Sequence, residues 1–164
     1  MGLQLPGELI SLLGMLGYTW PEADETKLME MGGTWMSFGG TLQSTSSGAD
    51  SVAQGVWTTN KGEDFEAFQK DWTNDEAASA NIRDAATDCM LVGAGLLIAG
   101  VVVLVLKINV IVQLIILAIQ IAQAIATAAV TFGASLAEIP IFKMITGAII
   151  DQLLGMAVEA LLNG

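Results

Sequence analysis

MLVGAGLLIAGVVVLVLKINVIVQLIILAIQIAQAIATAAVTFGASLA, Met90 to Ala137, is 48 residues long and carries one charged side chain, Lys107. So long an apolar run leaves two readings. Either it enters a bilayer, whose hydrocarbon core takes about 20 apolar residues per helical span, or it is the centre of an unusually apolar helical bundle that needs partners. Its polar residues are not scattered. Asn109, Gln113, Gln120, Gln123, Thr127 and Thr131 fall 4, 7, 3, 4 and 4 apart, which at helical pitch keeps them within about ±40° of one line. The stretch from Ile108 to Ala137 is therefore expected to be one continuous helix with a narrow polar stripe, ended by Glu138-Ile139-Pro140. The stripe lines a lumen, lies against another helix, or meets water along a bundle, because glutamine and threonine inside a bilayer must find partners. Lys107 favours the bundle, since a mid-membrane charge costs about 2.5–3.5 kcal/mol on insertion scales. If Lys107 instead marks a loop, two spans result, Met90–Leu106 and Ile108–Phe132, the first at the short limit. Gly95 and Ala99 make a small-xxx-small pair that lets two helices approach. A last helix, about Ile141 to Leu162, carries Lys143, Asp151 and Glu159 on an apolar body.

The chain before this run is of another kind. Residues 1–88 hold 14 acidic and 4 basic side chains, and residues 89–164 hold 3 and 2. An acidic surface excludes nucleic acid as a partner, since phosphate binding needs lysine and arginine. Composition divides the 164 residues into a short apolar N-terminal flap (1–20), an acidic helical hairpin (21–88) and a hydrophobic helical region (89–164). The flap has Pro6 at the start of a short helix through Leu9, Ile10, Leu12, Leu13 and Leu16, and it is expected to pack its apolar side on the main body. No lysine or arginine precedes that first apolar patch, so a secretory signal peptide is not expected and export would use another route.

Thr19-Trp20-Pro21-Glu22-Ala23-Asp24-Glu25 reads as a helix start, with proline near the first helical position and acids where the helix dipole favours them. Leu28, Trp35, Leu42, Ala49 and Val56 then recur every seven residues, with Met31, Phe38, Thr45 and Val52 between them. This is a coiled-coil seam. Gly32-Gly33, Gly39-Gly40 and Ser46-Ser47 repeat at the same interval. Glycine in a helix costs roughly 1 kcal/mol against alanine, so either another helix lies close against that side or the helix is broken there. Trp57 to Gly62 reads as a tight connection. A second helix follows, with Glu63, Asp64 and Glu66 in its first turn and Phe65, Phe68 and Trp72, then Ala78 or Ser79, Ile82 and Ala86 on one face. Helices joined by so short a turn run antiparallel. The aromatics are the hairpin's own core, a partner-binding surface, or both.

No histidine is present, which removes the commonest general base and metal ligand. No nucleophile elbow or phosphate loop appears, and the carboxylates are spread along helix faces. Neither catalysis nor a cofactor or metal is expected. The lone Cys89 opens the apolar run and reads as a small buried hydrophobe.

A tryptophan at the turn of an acidic hairpin, a glycine after it, then two phenylalanines and a tryptophan at helical spacing resemble the WXG superfamily, small helical-hairpin proteins exported by type VII secretion systems. The W-P-E-x-D-E opening, the stretch from Gly62 to Trp72 and the A-S-L-A-x-I-P segment from Ala134 to Pro140 resemble a narrower group. That group is the WXG-like N-terminal leader domain of actinobacterial type VII-secreted toxins, the CpnT-like channel-protein N-terminal domain. The likeness runs from about residue 19 to 164. It departs from a W-x-G tripeptide, which would need glycine where Thr59 stands. Tyr18 and Glu22 fit the Y-x-x-x-E form of an export signal, but in the family that signal follows the second helix. The resemblance implies an all-α fold, a WXG-type antiparallel hairpin extended by long hydrophobic helices. It implies a targeting or adaptor module that pairs with small WXG-type helical proteins and presents a toxin to the type VII machinery, in a secreted or cell-envelope setting. The helix-pairing residues would be Leu28, Met31, Trp35, Phe38, Leu42, Val52, Trp57, Gly62, Phe65, Phe68, Trp72 and Ile82. The alternative reading is a pore-forming or membrane-inserting oligomer that uses residues 90–137.

Overall fold

The computed structural model describes residues 2–163. Among them the secondary structure is entirely helical: α1 Gly7–Met15, α2 Glu25–Thr59, α3 Glu63–Trp72, α4 Ala78–Thr127, a 3-10 turn Ala134–Glu138 and α5 Ile139–Asn163. The chain forms two compact units, one of residues 1–27 with 98–164 and one of residues 28–97.

The first unit is built around the second half of α4. Leu5, Leu12 and Leu13 from the N-terminal segment close on Val110, Leu114 and Leu117 of α4 and Ile150 of α5, all buried. Pro6 caps α1, as its fixed φ allows. A Schellman turn ends α1, with Gly17 N–H donating to Gly14 O at 3.0 Å and Tyr18 N–H to Leu13 O at 3.3 Å. Tyr18 and Trp20 pack on the same core, and the Tyr18 hydroxyl donates to Gly147 O at 3.0 Å.

Lys107 lies inside this unit. Its Nζ donates to Glu25 Oε2 at 2.8 Å and to Ala23 O at 2.6 Å, and sits 5.7 Å from the centre of the Trp20 ring. The side chains are 1% and 5% exposed. The other Glu25 oxygen accepts the Leu3 N–H. Burial pushes the Glu25 carboxyl up, but the Leu3 N–H and the Lys107 ammonium outweigh it and hold the group below its ordinary value. A buried charge is tolerated only when paired in this way. The loop reading of Lys107 is thereby overturned: α4 runs through it unbroken, and there is no pair of spans meeting there.

Other boundaries also move. The helix expected from Pro21 begins at Glu25, where Asp24 Oδ1 accepts the Lys27 N–H at 3.1 Å as an N-cap. The polar stretch Thr73–Ala77 breaks the second helix of the hairpin rather than decorating it. Asn74 Oδ1 accepts the Glu76 N–H at 3.0 Å, and Ser79 Oγ closes the end of α3 by donating to Trp72 O at 2.9 Å. The long apolar helix stops at Thr127, not at Glu138. Phe132 and Gly133 take positive φ, 51° and 83°, and Ser135 Oγ donates to Ala124 O at 2.7 Å in place of a continued helix. Thr131 therefore leaves the stripe's helix, and its hydroxyl bonds to Thr127 O and Ser135 Oγ, both at 3.0 Å. α5 starts at Ile139, with Pro140 inside its first turn, where its missing N–H has no acceptor to serve.

Candidate partner-binding face

The second unit is a hairpin in which α2 meets α3 and the first half of α4. Its inner contact is made by small residues. On α2, Gly32, Gly39, Ser46 and Ala53 are seven apart and all buried; on α4, Ser79, Ala86 and Gly93 are seven apart and all buried. A Cβ added at Gly32 would stand 2.7 Å from Gly93 O, and one added at Gly39 2.8 Å from Ala86 O. As the number on α2 rises by seven its partner's falls by seven, which is the signature of antiparallel packing. Backbones this close leave no room for a side chain. The glycine repeat therefore does not break α2, which is continuous for 35 residues. Only half of each glycine pair takes part: Gly33 and Gly40 face open space, and so does Gly95. The close approach on α4 comes from Gly93 and Ala86 rather than from Gly95 and Ala99.

With the small face turned inward, the large heptad residues are left on the flank. Met31, Trp35, Phe38 and Val52 are exposed, Val52 at 74% and Phe38 at 50%, while Leu28, Leu42 and Val56 are half-buried. Trp35 and Phe38 meet edge to face, ring centres 6.4 Å apart. Ile82 on α4 is also exposed.

The turn end holds a second aromatic group. Phe68 stacks between Trp57 and Trp72, 5.7 Å from each, and all three are half-buried, as is Phe65. Gly62 precedes α3 with φ 136°, a conformation that disfavours any side chain, so the glycine at this place rather than at position 59 shapes the turn. Asp50 anchors the group. Its Oδ1 accepts the Trp72 Nε1–H at 2.8 Å and its Oδ2 pairs with Arg83 at 2.9 Å. Spacing alone did not single out Asp50 or Arg83, because neither lies on an apolar face; the signal available was the polar break at residues 73–77 next to Trp72.

In the first unit, the stripe residues Asn109, Gln113 and Gln120 are half-buried, and Gln123, Thr127 and Thr131 are exposed. Asn109 Nδ2 donates to Val105 O at 2.8 Å and Thr127 Oγ1 to Gln123 O at 2.9 Å, so two of the stripe's polar groups are satisfied by their own helix.

An all-α chain with a tightly packed antiparallel hairpin, its aromatics gathered at the turn and along one flank, defines a helical-hairpin protein. A family model described as WXG100 like domain matches residues 4–148, and the chain belongs to that family. The family is a non-enzymatic, secretion-related helical one, which places the chain among type VII secretion-related proteins and points to a secreted protein. No curated protein and no solved structure matched the chain.

Proposed function

We propose that the chain is the targeting module of a type VII secretion substrate, of the kind that leads an actinobacterial toxin. It pairs with small WXG-type helical proteins and presents its cargo to the secretion machinery. One observation carries this reading. The hairpin closes on its small residues, which leaves Met31, Trp35, Phe38 and Val52 uncovered along one flank of α2. Exposed aromatics at helical spacing are anchors for a helix of a partner. The half-buried group of Trp57, Phe65, Phe68 and Trp72 would continue the surface around the turn.

Co-expression with a small WXG-type hairpin protein tests it. A stable complex is expected, and Trp35→Ala with Phe38→Ala should weaken it by about 30-fold or more, the effect of losing hot-spot anchors worth about 2 kcal/mol. A complex indifferent to both substitutions would remove the basis of the reading.

A second reading, insertion into a bilayer, is favoured by a separate observation. The most apolar 18-residue window of α4 has a mean hydropathy of 2.8 and is 22% buried, and the best window of Ala134–Asn163 is 17% buried, so both helices are long and apolar enough to cross a membrane. Flotation with lipid vesicles separates the two. A chain that stays at the bottom of the gradient and pairs with its partner supports targeting; one that floats and releases trapped dye supports insertion.

A further inference from the structure

The two ion pairs among the described residues each set a cation and a carboxylate beside a tryptophan. Lys107 meets Glu25 at 2.8 Å with the centre of the Trp20 ring 5.7 Å away. Arg83 meets Asp50 at 2.9 Å, and Asp50 also holds the Trp72 indole. A third arrangement of this kind lies at the turn of the hairpin, without its cation. Where α2 gives way to α3, Trp57, Phe65 and Glu66, with Asn60, Lys61 and Gln69, wall an open cleft of about 320 Å³. Its polar groups are chiefly acceptors. The Glu66 carboxylate makes no ion pair or hydrogen bond among the described residues. Asn60 Nδ2 is spent on Val56 O at 2.7 Å, which leaves its amide oxygen to the cleft. Lys61 is the one cation on the wall, and it pairs with none of the described carboxylates.

A guest for such a wall brings positive charge and several donors on a flat group. A guanidinium has all three: it stacks on an aromatic ring while its forked N–H groups pair with a carboxylate. An ammonium is compact, strongly hydrated and has no plane to stack. The surroundings select for charge as well. Residues 61–76 hold six acids and two lysines, which repels nucleic acid and anionic lipid. A second copy of this chain cannot supply the guest, because its single arginine, Arg83, is already paired with Asp50. We propose that the cleft of Trp57 and Glu66 receives an arginine side chain from a partner protein. This rests on the reading of the hairpin as a partner-binding face and adds the partner's chemistry at the turn. The α2 flank selects differently: Met31 to Ala49 contains no ionised side chain, so contact there is decided by shape and apolar area.

The probe is a helical peptide of alanine and arginine, set against the same peptide with lysine or glutamine in place of arginine. Two-dimensional NMR of the full chain separates the indole N–H signals of its four tryptophans. The arginine peptide should move the Trp57 signal and leave those of Trp20 and Trp35 in place. Glutamine in the peptide should weaken binding about tenfold or more, and lysine about threefold. Glu66→Gln, an exposed site, should weaken it about three- to fivefold with an unchanged helical circular dichroism spectrum. Glu30→Gln, an exposed acid near the other end of α2, should have no effect, and Lys61→Glu should tighten binding. Trp35→Ala with Phe38→Ala should leave the peptide's affinity unaltered, so loss of the WXG-type complex and loss of this site are separate results. No binding of the arginine peptide overturns the proposal. So does a lysine or glutamine peptide that binds as well, a Trp57 signal that does not move, or an equal effect of Glu66→Gln and Glu30→Gln.

Discussion

Lys107 is the only ionised side chain between Asp88 and Glu138, and it is held by one carboxylate from 82 residues earlier. Removing that partner strands a buried charge. Glu25→Gln should lower unfolding free energy by about 3–5 kcal/mol at neutral pH, read from urea midpoints. The same pair sets a pH dependence. The Glu25 carboxyl is depressed below its ordinary 4.5 in the folded chain, so the unfolded chain takes up its proton first. The contribution is whole well above pH 4.5 and is lost as the pH falls through the lower folded value. The stability gap between wild type and Glu25→Gln should therefore narrow in acid; a constant gap would show that the pair is not ionised. Ser46 is the opposite case. It is 2% exposed and its Oγ has no hydrogen-bond partner. Ser46→Ala removes that unsatisfied group and raises helix propensity, and should stabilise the chain by about 1 kcal/mol in thermal or urea unfolding. The lysine was conspicuous in the sequence as the one charge in an apolar run. Its partner was not, because Glu25 is one of 14 acids in residues 1–88 and only the fold brings it close.

At the scale of helices, α2 carries two heptads in one register, one of large residues and one of small. Both satisfy the same spacing, so periodicity announces a seam without saying which residues close it. Volume decides. Backbones that approach until an added Cβ would stand 2.7 Å from a carbonyl oxygen admit only the glycine line. Gly93→Leu should therefore cost about 1–3 kcal/mol or more through overpacking, whereas Gly33→Ala, on the open side of α2, should gain up to about 1 kcal/mol through propensity. Equal effects of the two would contradict the packing. Helix ends were less legible than helix interiors. The stripe continued through Thr131 on spacing, yet Gly133 and the Ser135 hydroxyl end α4 at Thr127. In the same way Asn74 offers the backbone a turn in the middle of a helical pattern.

For the molecule as a whole, the helical class and the hairpin could be read from composition and period, and the family match over residues 4–148 agrees with them. The amount of bare apolar surface could not be read, since a run that is buried and a run that is not have the same sequence. That surface predicts strong binding of an apolar dye such as anilinonaphthalene sulfonate by the native chain, falling when a helical partner is bound; weak binding at the outset would count against a bare apolar surface. The make-up of the two units also bears on the order in which they can form. Residues 28–97 are contiguous, but the other unit must join residues 1–27 to 98–164. Leu5, Leu12, Leu13 and Trp20 leave the ribosome before anything they will pack on, and must wait for α4 and α5 to be made. A closure of such high contact order is slow, and a waiting apolar segment is exposed to aggregation and proteolysis meanwhile. Pulse-labelled hydrogen exchange during refolding should accordingly protect amides of residues 28–97 before those of α1, and the reverse order would show that the N-terminal segment does not wait.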